Sequence, residues 1–577
     1  MRLDKLTIGS SKDSPLHQFK NLKNVTIDFA QGCWVTVVIG WNGTGKSNVL
    51  EALAIIFRDL IAKKRTPEFA FQLTYCMGAG NDQKRIRIDA DPERKKDAFL
   101  IYITNLKKNK PNNNIFDTQD LDDTRLSEKP IKLTTFLNSE AQYLPRYVFS
   151  YYSGESSRMH EVFRPYLESY DSKLRNGVDP GLKRLFYAMP VHSQFVLLAF
   201  MIQQSDDVRE LLEKDMGIDP DEGIESALFV LKQPGWSKNK KNNPDGDDRF
   251  WGAQGVVQTF LDRLQNIALA PIRIKRDKQI TLWNKKSTEF QYLFIKDTQA
   301  LRNLVDNQSP AQFFRDLEST YVSELIEEVR IRIRLKKNDG SVTFRELSEG
   351  EQQLLTVLGL LRFTAEEESL FLLDEPDTHL NPRWSVDYIS YLKKFIIDGA
   401  QQTETSHILM TTHNPLAIAE LDREQVQILR MSKQEERRQI VACYPEIAPR
   451  GMGYAAIVTS DMFGIASTLD QSTQLLLEEQ RAYAAKETLS LDEQHKLDLI
   501  NAKLDRLGFR FFHPDDEYSR YLRLRNSFLV ARFNTELPHE LAKQVVEMPR
   551  TEREELAKSL ITELLSKHPN IGEGENS

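Results

Sequence analysis

Four short groups of residues in this sequence have the types and spacing to hold a polyphosphate and direct water at it. Gly40-Trp41-Asn42-Gly43-Thr44-Gly45-Lys46-Ser47 fits the pattern G-x-x-x-x-G-K-[ST]. Its glycines permit backbone conformations and close approaches that a Cβ would block. Asn42, Gly43, Gly45, Lys46, Ser47 and Asn48 are therefore the candidate ligands of ATP. Backbone N–H groups and the start of a helix face the phosphates. Lys46 is expected to reach the β- and γ-phosphates, and the Ser47 hydroxyl to help hold Mg²⁺.

Leu370-Phe371-Leu372-Leu373-Asp374-Glu375-Pro376 delivers two carboxylates. Asp374 suits the Mg²⁺ shell, directly or through water. Glu375, one residue on, faces another way and can polarise the attacking water. Thr411-Thr412-His413-Asn414-Pro415 offers His413 as a contact to the γ-phosphate that positions this water. The fourth group, Leu347-Ser348-Glu349-Gly350-Glu351-Gln352, pairs Ser348 with Glu351 as a capping box at a helix start. Its functional reading is a positive helix end, with Ser348 and Gly350, meeting ATP held by another copy of the chain. Each group has a bland alternative: a glycine turn, an Asp-Glu pair at a strand end, a structural histidine, a capped helix. The fixed order of all four argues against chance.

The flanking residues predict what positions these groups. Trp34–Ile39 reads as a buried strand and Asn48–Phe57 as a helix, the context a phosphate loop needs. Leu370–Leu373 and Ile408–Thr412 read as two more strands. Their C-terminal ends then bring the candidate residues to the sheet edge where α/β ligand sites lie. Val329–Leu335, the turn signal Asn338-Asp339-Gly340 and Ser341–Phe344 predict a hairpin just before Ser348. The fold class expected is α/β, with residues 1–155 and 273–435 as two halves of one ATPase head. Residues 156–272 are expected to form an inserted helical lobe, with helices at Gln194–Gln204 and Asp207–Lys214. Residues 436–577 read as a mainly helical C-terminal region, with helices at Thr473–Ala485 and Glu552–Lys567, suited to docking a partner. Lys107–Asp123 and Pro234–Asp248 read as loops and Ile571–Ser577 as a disordered end. No heptad pattern extends over several repeats, so the insertion is not a long coiled-coil arm.

Apolar content of 40% and charged content of 28% place the chain among soluble globular proteins. No apolar run approaches 20 residues and Met1–Ser10 lacks a signal-peptide pattern, so no membrane association and a cytoplasmic location are expected. Cys33, Cys76 and Cys443 lack metal spacing and fit a reducing compartment. The net charge of −7 argues against indiscriminate DNA binding by the whole molecule. Local clusters such as Lys63-Lys64-Arg65 and Arg273–Lys278 read as solvated faces that assembly could join into a nucleic-acid groove.

Taken together, the motifs resemble the ABC-type ATPases of the SMC/RecF branch. Phe19-Lys20, between early strands, is similar to that branch's adenine-side segment. Tyr151-Tyr152-Ser153-Gly154-Glu155, the form Ser348-Glu349-Gly350-Glu351-Gln352-Gln353 and the stretch from Gly451-Met452-Gly453-Tyr454 resemble more closely the PtuA family, the ATPase subunits of Septu-type antiphage systems. These also occur in some retron defence modules. The resemblance implies a P-loop NTPase head that forms a homodimer or higher oligomer through shared ATP sites, Ser348 of one copy facing ATP on Lys46 of the other. It also implies a PtuB-like HNH nuclease subunit as partner and, if the system is retron-linked, a reverse transcriptase with multicopy single-stranded DNA. Nucleic acid would be engaged through the complex. The sequence departs from the branch in Glu349, where glycine is usual, and in offering no clear Q-loop glutamine, Gln142 being the nearest. No HNH signature and no Asp-x-Asp after His413 is found, so any nuclease would be another chain. The alternative is a RecF/SMC-like DNA-repair ATPase that needs no HNH partner.

Overall fold

The computed structural model describes residues 1–30, 32–79, 82–106, 129–154, 157–238, 246–279, 285–305, 308–336, 341–364, 368–396, 406–432, 439–465, 467–484 and 489–507, with residues 525, 555, 558, 559 and 562. Residues 1–464 make one compact unit and 465–577 a second.

In chain order the first unit opens with β1 (Arg2–Ile8), β2 (Val25–Asp28), β3 (Val35–Gly40) and α1 (Lys46–Ile61). β4 (Phe71–Met77), β5 (Lys84–Ala90), β6 (Phe99–Asn105), α2 (Leu133–Asn138), α3 (Glu140–Tyr143) and β7 (Val148–Tyr152) follow. Then come α4 (Arg158–Arg175), β8 (Leu185–Tyr187), α5 (Val191–Phe200), α6 (Asp206–Glu210) running into a π-helical turn, and β9 (Ile224–Lys232). Next are α7 (Gly255–Ile267), β10 (Leu269–Gln279), β11 (Lys285–Ile295), α8 (Thr298–Val305), α9 (Pro310–Val322), β12 (Ile326–Arg334) and β13 (Ser341–Thr343). The unit is completed by α10 (Glu349–Thr364), β14 (Leu370–Asp374), α11 (Pro382–Ile396), β15 (His407–Thr411), β16 (Val426–Met431), β17 (Ile440–Cys443) and α12 (Tyr454–Thr459). The second unit holds α13 (Gln471–Ala484) and α14 (Leu491–Arg506), the latter opened by a Ser490–Glu493 capping box.

The central sheet has the order β17-β16-β3-β15-β14-β7-β8. Its strands are parallel except β17, which runs antiparallel to β16. Both faces are covered, which is why β3, β14 and β15 are largely apolar and buried along their length. Alternate residues enter two cores. Val38, Leu370, Leu372 and Leu409 pack with α1 and with the antiparallel sheet β2-β1-β4-β5-β6. Val35, Val37, Ile39, Phe371, Leu373, Ile408 and Met410 pack with α5, α9, α10 and α11 on the other face. α1 is buried nearly all round, as a helix between two sheets must be.

The stretch expected as a helical lobe carries α4 to α7 but also two whole strands and the start of β10. β8 extends the central sheet, and β9 lies in the middle of a third sheet, β10-β11-β9-β12-β13. The short apolar run Ala227–Leu231 is compatible with either a buried helix or a buried strand, and pairing with β11 and β12 decides it. β17 and α12, in the stretch assigned from sequence to the C-terminal region, are supplied to the first unit. The hairpin before Ser348 pairs Arg332, Ile333 and Arg334 with Thr343, Val342 and Ser341. The turn at 338–340, the loop at 107–123, residues 239–245 of the loop at 234–248, most of the helix at 552–567 and the end at 571–577 lie outside the described residues. Among the described residues no helix is long and apolar enough to cross a membrane.

α5 and α10 cross so closely that a Cβ on Gly359 would lie 2.1 Å from Val196 Cγ1. Behind them, Glu318 of α9 is fully buried between Lys183 and His192; it accepts from Lys183 Nζ and lies 2.6 Å from His192 Nε2.

Candidate functional site

Because β3, β15, β14 and β7 are parallel and in register, Gly40, Thr411, Asp374 and Tyr152 end at one edge of the sheet. The chain leaves β3 through Gly40 at φ 149°, where a Cβ would sit 2.3 Å from the Leu429 carbonyl oxygen. Gly43 and Gly45 follow at φ 82° and 89°, in the left-handed region that glycine enters without strain. Gly45 is the residue before α1, so the loop turns directly into a helix N-terminus. Asn42 and Gly43 are exposed there, and Lys46 is buried. Lys46 Nζ folds back on the loop, donating to the carbonyls of Gly40 at 2.9 Å and Trp41 at 3.4 Å. Burial lowers its pKa, and Glu375 and Asp374 pull it back up. A cation so held, with only carbonyl dipoles as direct partners, is ready to exchange them for an anion.

Ser47, in the first turn of α1, donates to Asp374 Oδ1 at 3.1 Å. The same oxygen accepts from Thr411 Oγ1 at 2.5 Å. Burial raises the Asp374 pKa against these two hydrogen bonds. The donor set fits Mg²⁺. A buried carboxylate and a hydroxyl are hard oxygen ligands, and no described group of three or more His, Cys, Asp or Glu residues could cage an ion unaided. Mg²⁺ binds in such a way, through one or two carboxylates with substrate phosphates and water.

Glu375 adopts φ 52°, a left-handed conformation uncommon for a residue with a side chain. Its backbone N–H is held by Thr411, through the carbonyl and Oγ1, both at 3.1 Å. The backbone reversal separates its carboxylate from that of Asp374 and brings Glu375 Oε1 to 3.3 Å from His413 Nε2. The hydrogen bond from His413 lowers the Glu375 pKa, outweighing partial burial. The other histidine of this strand, His407, is fully buried; burial takes its pKa down to about 3, and neither ring nitrogen has a hydrogen-bond partner. It is a neutral packing residue edge-on to Phe29.

The early segment is tied to the phosphate loop. Asn21 Nδ2 donates to the Gly43 carbonyl at 2.8 Å, and Asn48 Nδ2 donates to Asn21 Oδ1 at 2.7 Å. Phe19 packs on Phe69 with ring centroids 4.7 Å apart, and Lys20 pairs with Glu51 of α1 at 2.5 Å. At the signature turn, Ser348 N–H and Oγ–H both reach Glu351 Oε2 at 2.7 Å, and Ser348 Oγ accepts from Glu351 N–H at 3.2 Å. Gly350 has a local reason: a Cβ would meet the His379 carbonyl oxygen at 2.5 Å. Gln353, one turn on, accepts from the His379 N–H at 3.1 Å and donates to the Glu375 carbonyl at 3.4 Å. The turn is therefore fastened to residues 375–379 of its own chain.

Lys46, Ser47, Asp374, Glu375 and His413 thus converge at one sheet edge. Ser348 and Gly350 belong to a separate turn joined to that edge through His379 and Gln353. Gln142 is not at the edge; it accepts from Lys84 on β5. Sequence reasoning missed Asn21, Thr411, Gln353 and Asp377. Asp377 is buried, accepts from Thr412 Oγ1 at 2.7 Å, and is pushed by burial up to about 6. Thr411 and Thr412 were open to detection because they flank His413 at a strand end. Asn21 carries no local signal.

The fold and this edge have the form of a P-loop NTPase, a parallel sheet in which β3 runs through a phosphate loop into α1. Two family descriptions match parts of the chain: "AAA ATPase domain" over residues 16–180, and "AAA domain, putative AbiEii toxin, Type IV TA system" over residues 205–419. The chain is similar to Septu protein PtuA of Bacillus mycoides (strain KBAB4), with 23% identity over 230 residues, 36% of this chain and 31% of that protein. It is also similar to "Probable peptide export ATP-binding protein YydI" of Bacillus subtilis (strain 168), with 25% identity over 19% of this chain and 50% of that protein. The chain thus spans a third to a half of the length of these relatives. Among solved structures, the SMC head domain from Thermotoga maritima aligns with 78% of this chain and 100% of its own length, at 11% identity and a TM-score of 0.31.

Proposed function

We propose that this chain is the ATP-binding and ATP-hydrolysing regulatory subunit of a prokaryotic antiphage complex, two copies closing over shared ATP sites to control a separate HNH nuclease. The observation that supports hydrolysis most directly is the paired contact at one edge: Ser47 with Asp374, and Glu375 with His413. The similarity to Septu protein PtuA supports the antiphage setting.

In this reading, Lys46 leaves its loop carbonyls for the β- and γ-phosphates, and the Gly43–Ser47 backbone N–H groups surround them. Asn21 braces this loop, with Phe19 and Lys20 on the adenine side. Ser47 and Asp374 hold Mg²⁺, which when bound neutralises phosphate charge. Glu375, kept ionised by His413, accepts a hydrogen bond from water and draws off its proton as the oxygen attacks the γ-phosphorus. The bond to the β-phosphate oxygen breaks, giving ADP and phosphate. His413, 43% exposed, is free on its other side to donate to the γ-phosphate. Ser348 and Gly350 face the nucleotide of the second copy. The helical C-terminal region is the docking surface assigned to the nuclease.

The test has two arms. Glu375→Gln should retain ATP and slow hydrolysis by about a hundredfold or more; wild-type turnover in this variant removes Glu375 as the acting carboxylate. Gentle purification of the tagged chain with ATP and Mg²⁺ should recover a stoichiometric HNH protein. A reverse transcriptase with small DNA beside it would extend the reading to a retron. Recovery of DNA without a nuclease subunit would favour a repair ATPase.

A further inference from the structure

The first turn of α10 has the properties of an anion site that is already filled. A helix start leaves backbone N–H groups without intrahelical acceptors and favours negative charge. Here the anion is the chain's own Glu351, whose Oε2 takes both the N–H and the O–H of Ser348 at 2.7 Å. Beside it stands a second carboxylate, Glu349, with a side chain 80% exposed and one partner, His379 Nδ1 at 3.3 Å. Helix capping accounts for Glu351. It does not account for Glu349, which makes no contact to the helix end. Neither carboxylate is on a loose segment, because Gly350 packs against the His379 carbonyl and Gln353 holds the His379 N–H.

We propose that Glu349 and Glu351 make this turn self-guarding. Their carboxylates occupy the donors and the approach that a second copy's nucleotide needs, so closure begins with their displacement. This rests on the shared-site reading above. A triphosphate must compete with Glu351 for Ser348 and must approach Glu349 against like charge. His379, its Nδ1 3.3 Å from Glu349, links it through the stretch 375–379 to the carboxylate that faces water. The guard sets the ATP level at which two copies associate, and it gives a partner that draws off Glu349 a means of lowering that level.

The measurement is self-association of the full chain by mass photometry, titrated with ATPγS and Mg²⁺. Gln serves as well as Glu in a capping box, so Glu351→Gln removes charge and keeps the cap. The variant Glu349→Gln/Glu351→Gln should half-saturate at about tenfold lower nucleotide at low salt, with the gap closing at high salt as exposed charges are screened. Glu349→Gln alone, at an exposed position outside the cap, should shift in the same direction. Unchanged or raised half-saturation in both variants, with Ser348→Arg still abolishing association, overturns the guard and leaves the shared site standing. Nucleotide-dependent association that survives Ser348→Arg overturns the shared site and the guard with it.

Discussion

Replacing Glu318 by Leu should be among the most damaging single changes in this protein, for electrostatic reasons that can be worked from its surroundings. The carboxylate is 1% exposed and faces Lys183, 2% exposed, and His192, 0% exposed. Burial pushes the Glu318 pKa up, but the opposite charge of Lys183 and the contact with His192 prevail and bring it down to about 2. Against the ordinary value of 4.5, that difference corresponds to about 3 kcal/mol. Removing one partner of a buried pair, which strands the other charge, costs roughly 3–5 kcal/mol. The stranded group is Lys183, whose remaining neighbour is the Phe186 ring, 4.6 Å from Nζ. Lys183→Met/Glu318→Leu leaves no stranded charge and should lose far less than the two single variants added together. The sign with pH follows from the lowered value. Between about pH 4.5 and pH 2 the unfolded chain binds the proton and the folded one does not. The contribution is therefore complete above about pH 4.5 and is lost as pH falls toward 2. Hydrogen exchange of α5 and α9 across a urea series reads the local opening energy in a chain of two units. A loss below about 1 kcal/mol in Glu318→Leu, or a double variant as damaged as the sum, would refute this account.

Three other changes probe the head. Lys46→Ala should weaken ATP binding by at least about tenfold, the size of one charged hydrogen bond, as read by isothermal titration calorimetry; unaltered affinity would deny its phosphate role. Asn21→Ala removes the links to Gly43 and Asn48 and should weaken nucleotide binding several-fold with little change in melting temperature. Equal affinity would mean that the phosphate loop holds its shape unaided. Gly359→Ala places a Cβ against Val196 and should cost about 1–3 kcal/mol by overpacking; a melting curve superimposable on wild type would show that α5 and α10 can part at no cost.

What was legible in the sequence is what local chemistry writes there. β3, β14 and β15 are apolar runs that end in glycine, in Asp-Glu and in Thr-His, and the Ser348–Glu351 cap is visible as residues three apart. Legibility ends where a partner is distant in the chain. That β15 lies between β3 and β14 follows from registers among three runs that look alike. β9 could be taken for a helix segment until its neighbours on both sides are known. Asn21 is an ordinary loop asparagine until Gly43 and Asn48 come beside it. Gly350 has its reason in a carbonyl of His379, which no spacing rule reaches.

One feature of the central sheet bears on how the protein is made. β3, which carries the phosphate loop, pairs on its two edges with β15 and β16. Both of those strands lie beyond residue 406. During synthesis the run Val35–Ile39 must therefore wait, with both hydrogen-bonding edges open, until most of the chain has left the ribosome. An apolar strand with unpaired edges invites pairing with other chains. Truncation before β15 should consequently yield an aggregating polypeptide rather than a weaker ATPase, and the N-terminal half is a natural client for chaperones until its partner strands arrive.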